Sequence, residues 1–214
     1  MSGVAQLVYG GTFDPVHRGH RACAEQACAL FEGAVLRLIP CADPPHRRRP
    51  QASAEHRARM LELAFADWPA AHVDRREMRR AGPSYTVDTL RALRAEFGSE
   101  VPMILMLGID AAVGLPSWHE TEALARLSHL LVLQRPGIDA VPPYAQLGWS
   151  EAAAPEELLQ SACGRIWQTP APVSSASSTA IRAALGEGEC SPVDLDPGVA
   201  AYIVRHQLYG AHGG

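Results

Sequence analysis

Short apolar runs in this chain alternate with longer stretches whose apolar residues recur every three or four positions. Residues 6–9 read as a strand that stops at Gly10-Gly11. From 17 to 31, Cys23, Ala27, Leu30 and Phe31 recur at helical spacing, and Gly33 follows as a stop. Residues 35–39 form a second strand ended by Pro40. Ser53 starts a helix to Ala66 with Met60, Leu61, Ala64 and Phe65 inward, and 73–78 read as a polar-flanked edge strand. From 86 to 97, Val87, Leu90, Leu93 and Phe97 share a helical face, and Gly98 ends it. Buried strands follow at 102–107 and 129–133. Between them, Ser117 with Glu120 three residues on predicts a capping box that starts a helix to about Leu127. A Pro/Gly loop at 135–150, a short helix at 155–163, a strand at 165–168 and two terminal helices at 178–185 and 198–207 complete the pattern.

Strands alternating with helices imply an α/β fold: a doubly wound, mainly parallel sheet with helices on both faces, and a small C-terminal helical segment over about 174–210. The 214 residues suit a single domain, 1–214. Such sheets bind ligands beyond the strand C-termini, where the strand order reverses. The segments just after Tyr9, Ile39, Leu107 and Leu133 are therefore where a site is expected.

Composition narrows the chemistry. Hydrophobic residues make up 47% and charged residues 20%, as in ordinary globular proteins, and the formal net charge of -4 argues against broad nucleic-acid binding. All 19 basic residues are arginine. Without lysine there is no Schiff base, no lysyl-AMP and no Walker-type loop, so phosphate must be met by Arg, His, backbone amides or metal. Five cysteines, none in a Cys-x-x-Cys pair, fit reduced thiols and a cytoplasmic location. The N-terminus lacks the features of a signal peptide, and no apolar run is long enough to span a bilayer, so no membrane partner is expected. No exposed heptad sets an oligomeric state; a homo-oligomer is left open.

Two segments carry candidate chemistry. Gly10-Gly11-Thr12-Phe13 through His17-Arg18-Gly19-His20 follows the first strand and opens the first helix. A helix N-terminus presents free N–H groups and a partial positive charge that favour phosphate. Three residues apart on a helical turn, His17 and His20 point the same way and can donate to phosphate oxygens. The Gly-x-Gly-x-x-Gly spacing of dinucleotide-binding dehydrogenases is absent, and no third histidine stands at zinc-site spacing. Near the C-terminus, hydroxyls from Ser174 to Thr179 crowd a helix start, with Arg182 one turn in. Taken alone they read as N-capping by Ser177 or Ser178; taken with the first segment they make a second phosphate grip.

These stretches resemble known signatures. Gly11-Thr12-Phe13-Asp14-Pro15 with His17-Arg18-Gly19-His20 resembles the G-T-F-D-P-x-H-x-G-H signature of the nucleotidyltransferase superfamily. Ser177-Ser178-Thr179-Ala180-Ile181-Arg182 resembles its late S-S-T-x-I-R motif. Pro40 through Pro44-Pro45-His46-Arg47, Ser84-Tyr85-Thr86-Val87-Asp88-Thr89-Leu90, and Gly108-Ile109-Asp110 with Trp118-His119 resemble segments of bacterial nicotinate-nucleotide adenylyltransferases. The resemblance runs from about Leu7 to Tyr209. It departs at Ala176, at Glu120-Thr121 and in the loop 135–150.

The resemblance implies a Rossmann-like fold and transfer of AMP from ATP to nicotinate mononucleotide in NAD biosynthesis. It implies ATP contacts at Gly10, Gly11, Thr12, Phe13, His17, Gly19, His20, Asp110, Ser178, Thr179 and Arg182, with His17, His20 and Arg182 catalytic. Thr12, Arg47, Tyr85, Thr86, Trp118 and His119 would meet the mononucleotide, and Mg²⁺ would be bound mainly by the ATP phosphate oxygens and water, any protein ligand being left open. Sister transferases that use nicotinamide mononucleotide or pantetheine phosphate, and a non-catalytic nucleotide sensor, are the alternatives. Class I aminoacyl-tRNA synthetases would need a lysine-containing second signature that this chain lacks.

Overall fold

A computed structural model describes residues 3–42, 50–135, 137, 142–170 and 176–211. Seven strands form one sheet: β1 (Gln6–Gly11), β2 (Val35–Pro40), β3 (Ala71–Val73), β4 (Met103–Gly108), β5 (His129–Leu133), β6 (Ser150–Glu151) and β7 (Arg165–Gln168). Their order is β3-β2-β1-β4-β5-β7-β6, and every pairing is parallel. The chain winds outward from β1 to β3, returns to the centre for β4 and winds the other way. The reversal lies between β1 and β4.

Strand residues alternate between two cores, as the two-residue period of a strand requires. Leu7, Tyr9, Leu36, Leu38, Ile104 and Met106 face one cluster, which includes residues of α1 (Arg18–Leu30), α2 (Ala54–Ala64), α6 (Ser178–Gly186) and α7 (Pro197–Arg205). Val8, Ile39, Leu105, Leu107, Leu130 and Val132 face the other, with α3 (Thr86–Phe97), α4 (Ile109–Ala112) and α5 (Thr121–Leu127). The strands β4 and β5 are continuous apolar runs because both faces are covered. The C-terminal helices add Ile181, Leu185, Val199 and Ile203 to the same cluster as α1 and α2.

Three expectations give way. The edge strand is Ala71–Val73, and Glu77–Arg79 is a 3₁₀ turn, because Arg76 folds back to pair with Asp74 and Glu96. The capping box at Ser117 and Glu120 does not form. Glu120 takes a left-handed φ of 49°, the Ser117 hydroxyl donates to the Gly114 carbonyl at 2.8 Å, and the helix starts at Thr121. The segment 155–163 holds only a 3₁₀ helix, Pro155–Leu159, ahead of a turn. The loop before β6 also contributes more than a connection. Tyr144 and Trp149 are buried in the core, and Trp149 Nε1 donates to the Ser128 carbonyl at 3.1 Å.

Candidate active site

A cleft of about 710 Å³ opens at the C-terminal ends of β1, β2, β4 and β5, across the reversal point. Residues 10–14 after β1, Cys41 after β2, Gly108 and Asp110 after β4, and Arg135 after β5 all line it. All four segments singled out by the strand pattern thus meet at one place.

The phosphate-type wall is built from the loop between β1 and α1. Nothing stands within 4 Å of where a Cβ on Gly10 would be, whereas a Cβ on Gly11 would lie 3.0 Å from the Phe13 ring. Phe13 is buried and holds a left-handed φ of 50°, a conformation that costs free energy and persists only under packing. That packing comes from Tyr9, edge-on at 5.5 Å, and His20 at 5.0 Å.

His17 is the N-cap residue of α1, and its ring lies 3.7 Å from that of His20. The His17 backbone N–H donates to His20 Nδ1 at 3.2 Å. A neutral His20 therefore carries its proton on Nε2, which is left to donate. Burial holds His17 down to about 4, with the Arg135 charge adding to the effect. His20 is held well below the ordinary histidine value by burial, by His17 and by Arg135. Both rings are neutral N–H donors at neutral pH. His20 lines the cleft; His17 stands behind it, 4% exposed, and its Nδ1 has no protein partner among the described residues. A bound oxygen or a water would satisfy such an atom.

The late segment comes to the same place. The Ser178 hydroxyl donates to the Pro15 carbonyl at 3.0 Å, and Arg182 Nη1 donates to the Asp14 carbonyl at 2.6 Å. Arg182 Nη2 also reaches Thr179 Oγ1 at 3.3 Å. Ser177 occupies the N-cap position of α6, but its side chain makes no capping bond, so N-capping by Ser177 does not occur. Ser178 spends its hydroxyl on the opposite loop instead. Ser178, Thr179 and Arg182 all line the cleft.

The other wall is aromatic. The Tyr85 ring lies 4.3 Å from that of His119, tilted by 33°. Tyr85, Thr86, Trp118 and His119 line the cleft, with Trp118 and Tyr85 half-buried against the core. Tyr85 is the N-cap of α3 and makes no side-chain cap, leaving the first amides of that helix facing this wall without one. Asp110 sits between the walls, its Oδ1 3.6 Å from Arg135 Nε. A Cβ on Gly108 would meet that same oxygen at 2.6 Å, so a side chain there would displace the Asp110 carboxylate from this position.

Of the residues expected at a site, the cleft thus gathers Gly10, Gly11, Thr12, Phe13, His20, Tyr85, Thr86, Asp110, Trp118, His119, Ser178, Thr179 and Arg182. Gly19 is buried in α1 and does not line it. Arg47, Ser174 and Ser175 lie outside the described residues.

The chain matches the Cytidylyltransferase-like family model over residues 8–184. A protein of Pseudomonas paraeruginosa named "Probable nicotinate-nucleotide adenylyltransferase" is 44% identical over 209 residues, covering 95% of this chain and 96% of that protein. One of the same name from Stenotrophomonas maltophilia is 43% identical over 216 residues, with 95% and 96% covered. The chain belongs to the nicotinate-nucleotide adenylyltransferase family. Among solved structures, Plasmodium falciparum nicotinic acid mononucleotide adenylyltransferase complexed with NaAD has the same fold. Its TM-score is 0.72 at 16% identity, over 97% of this chain and 98% of that one.

Against this family background, sequence reasoning missed several residues. Asp14 is buried and accepts from Gln51 N–H at 2.8 Å, Ala52 N–H at 3.1 Å and the Tyr209 hydroxyl at 2.7 Å. It ties the first loop to residues 51–52 and to the C-terminal turn. Arg135 falls at the start of the Pro/Gly loop of the sequence pattern, yet its charge acts on both histidines. Arg57 sits on the stripe of Met60, Leu61 and Ala64, and is itself 1% exposed. A guanidinium on an apolar helical stripe was the signal that could have revealed it.

Proposed function

We propose that the protein transfers AMP from ATP to nicotinate mononucleotide, giving nicotinate adenine dinucleotide and pyrophosphate. Family membership supports the reaction. The structural observation that carries the reading is the meeting of the two distant stretches: Ser178 with Pro15 at 3.0 Å, and Arg182 with Asp14 at 2.6 Å.

In this reading a phosphate oxygen of the mononucleotide attacks the α-phosphorus of ATP in line. The bond from that phosphorus to the bridging oxygen breaks, and pyrophosphate leaves. The attacking group is already an oxyanion, so no protein nucleophile is needed. Catalysis then rests on positioning and charge stabilisation. His20 Nε2–H donates to the α-phosphate oxygens as they gain charge, with His17 stacked behind it. Amides at Gly11, Thr12 and Phe13 approach the same phosphate. Ser178, Thr179 and the free N–H groups of Arg182 hold the β- and γ-phosphates. Asp110 accepts from the ribose of ATP, with Arg135 beside it. Tyr85 and Trp118 cover the pyridine ring, and the amides near Thr86 and His119 read its carboxylate.

The donor set of the cleft suits phosphate better than a bare cation: imidazoles, hydroxyls, amides and guanidinium groups. Among the described residues no group of three His, Cys, Asp or Glu side chains could hold a metal. Mg²⁺ would therefore be bound by phosphate oxygens and water, where it neutralises charge on the leaving pyrophosphate.

The deciding experiment is turnover with ATP and each acceptor in turn, followed by chromatography of the dinucleotide and a pyrophosphate assay. The highest kcat/KM is expected with nicotinate mononucleotide. A higher value with nicotinamide mononucleotide or phosphopantetheine would replace the acceptor named here. Nucleotide binding without turnover of any acceptor would replace the enzyme with a sensor.

A further inference from the structure

A line of polar groups runs between the two walls: Thr12, Cys41, Glu77, Ser84 and Thr89 line the cleft, and Arg57 lies buried behind them. It begins at Arg57. Nη1 donates to the Thr12 carbonyl at 2.7 Å, and Nη2 to the carbonyls of Cys41 at 2.7 Å and Ala42 at 3.2 Å. The Ala42 N–H in turn donates to Ser84 Oγ at 3.2 Å. Burial raises the pKa of the Glu77 carboxyl, with Thr89 and Ser84 acting against it, and the carboxyl accepts from Thr89 Oγ1 at 2.7 Å. The line therefore joins the loop after β1, the segment after β2 and the start of α3.

Glu77 is its far end. The residue is 7% exposed, and no ion pair to it is present among the described residues; Arg80 Nη1 donates to Thr89 Oγ1 at 3.5 Å. Burying such a group costs free energy, and packing alone would be served as well by an apolar residue. What a carboxylate adds is that it only accepts. The Thr89 hydroxyl turns its hydrogen toward it, and the Ser84 oxygen, beside the same carboxyl, receives the Ala42 N–H.

We propose that Glu77 is a positioning residue for the acceptor. It holds Ser84 and Thr89, and so sets where the Tyr85 ring and the Thr86 amide stand relative to Thr12 and Ala42. This rests on the adenylyltransferase reading of the cleft.

Glu77→Gln tests it, because the volume is kept while the group gains N–H donors and no longer only accepts. Steady-state kinetics are run with ATP and nicotinate mononucleotide as separately varied substrates. The expected result is a KM for the mononucleotide raised about tenfold, with the KM for ATP within about twofold of wild type. Glu77→Asp should recover part of the loss. If Glu77→Gln does not fold, Ser84→Ala removes one link alone and should shift the same KM in the same direction. Mononucleotide KM values within twofold of wild type would overturn the proposal. So would a parallel rise in both KM values, which is what general loosening produces. Wild-type protein that turns over no nicotinate mononucleotide would instead overturn the parent reading, and this proposal with it.

Discussion

The two walls of the cleft are built on different physical principles. The wall formed by residues 10–20 and α6 is anchored in the core. His17 and Phe13 are buried, the two imidazoles lie 3.7 Å apart and tilted by 35°, and bonds from Ser178, Arg182 and Tyr209 hold the loop from across the chain. The wall formed by Tyr85, Trp118 and His119 is open. Its rings are partly exposed, and His119 and Glu120 sit at the rim, where Glu120 forms an exposed pair with Arg91. Hydrogen bonds in a water-poor site are stronger and better oriented than those at a wet rim. In the proposed reading, charge stabilisation falls to the first wall and recognition of a flat ring to the second.

The sharpest way to break that division is His20→Ala. It should lower kcat by about 100-fold or more while circular dichroism and gel filtration stay unchanged. Near-normal turnover would deny the first wall its part in the chemistry. Arg182→Ala comes next. It removes the bond to the Asp14 carbonyl together with a phosphate donor, and kcat/KM for ATP should fall on the order of 10- to 100-fold. A loss confined to the mononucleotide KM would place Arg182 on the wrong side of the cleft.

On the open wall, Trp118→Ala should raise the KM for the mononucleotide about tenfold and leave kcat within a few-fold, because stacking is made in ground and transition states alike. An effect mainly on kcat would erase the contrast. The pH dependence probes the buried histidine of the first wall without mutation. The folded value of His17, about 4, lies below its unfolded value near 6.5, so the unfolded chain binds more protons between those two. Stability is then full above about pH 6.5 and is lost as pH falls toward 4, by about 3 kcal/mol in all if the shift is wholly expressed. Urea unfolding at pH 7.5, 6, 5 and 4 measures this, and a flat profile for wild type relative to His17→Gln would contradict it. The smallest effect is expected from Arg91→Ala. An exposed pair contributes little, and both stability and the KM values should stay within about 0.5 kcal/mol of wild type.

Much of this molecule was legible in the linear pattern. The strands at β1, β2, β4 and β5 are dense apolar runs that stop at Gly10, Pro40, Gly108 and Gln134, and their periodicity against the helices implied a parallel sheet. Local chemistry read well where it depended on neighbours in sequence, as with the glycines and paired imidazoles at the start of α1. It read poorly where long-range packing set the backbone. The Ser117 capping box failed because Glu120 turned left-handed, and Ser177 did not cap α6 because Ser178 faces Pro15.

The sequence by itself determined the alternation of elements, the side of the sheet on which a ligand would sit, and the residue types available to meet phosphate. These depend on periods of two and 3.6 and on side-chain chemistry, which are local properties. Only the tertiary structure decided that residues 14–15 and 178–182 touch, that His17 and His20 are held neutral, and that Arg57 ties the segment after β2 toward Ser84. Contact across 160 residues and exclusion of water both arise from how the packed chain surrounds a group, and no window of sequence contains that information.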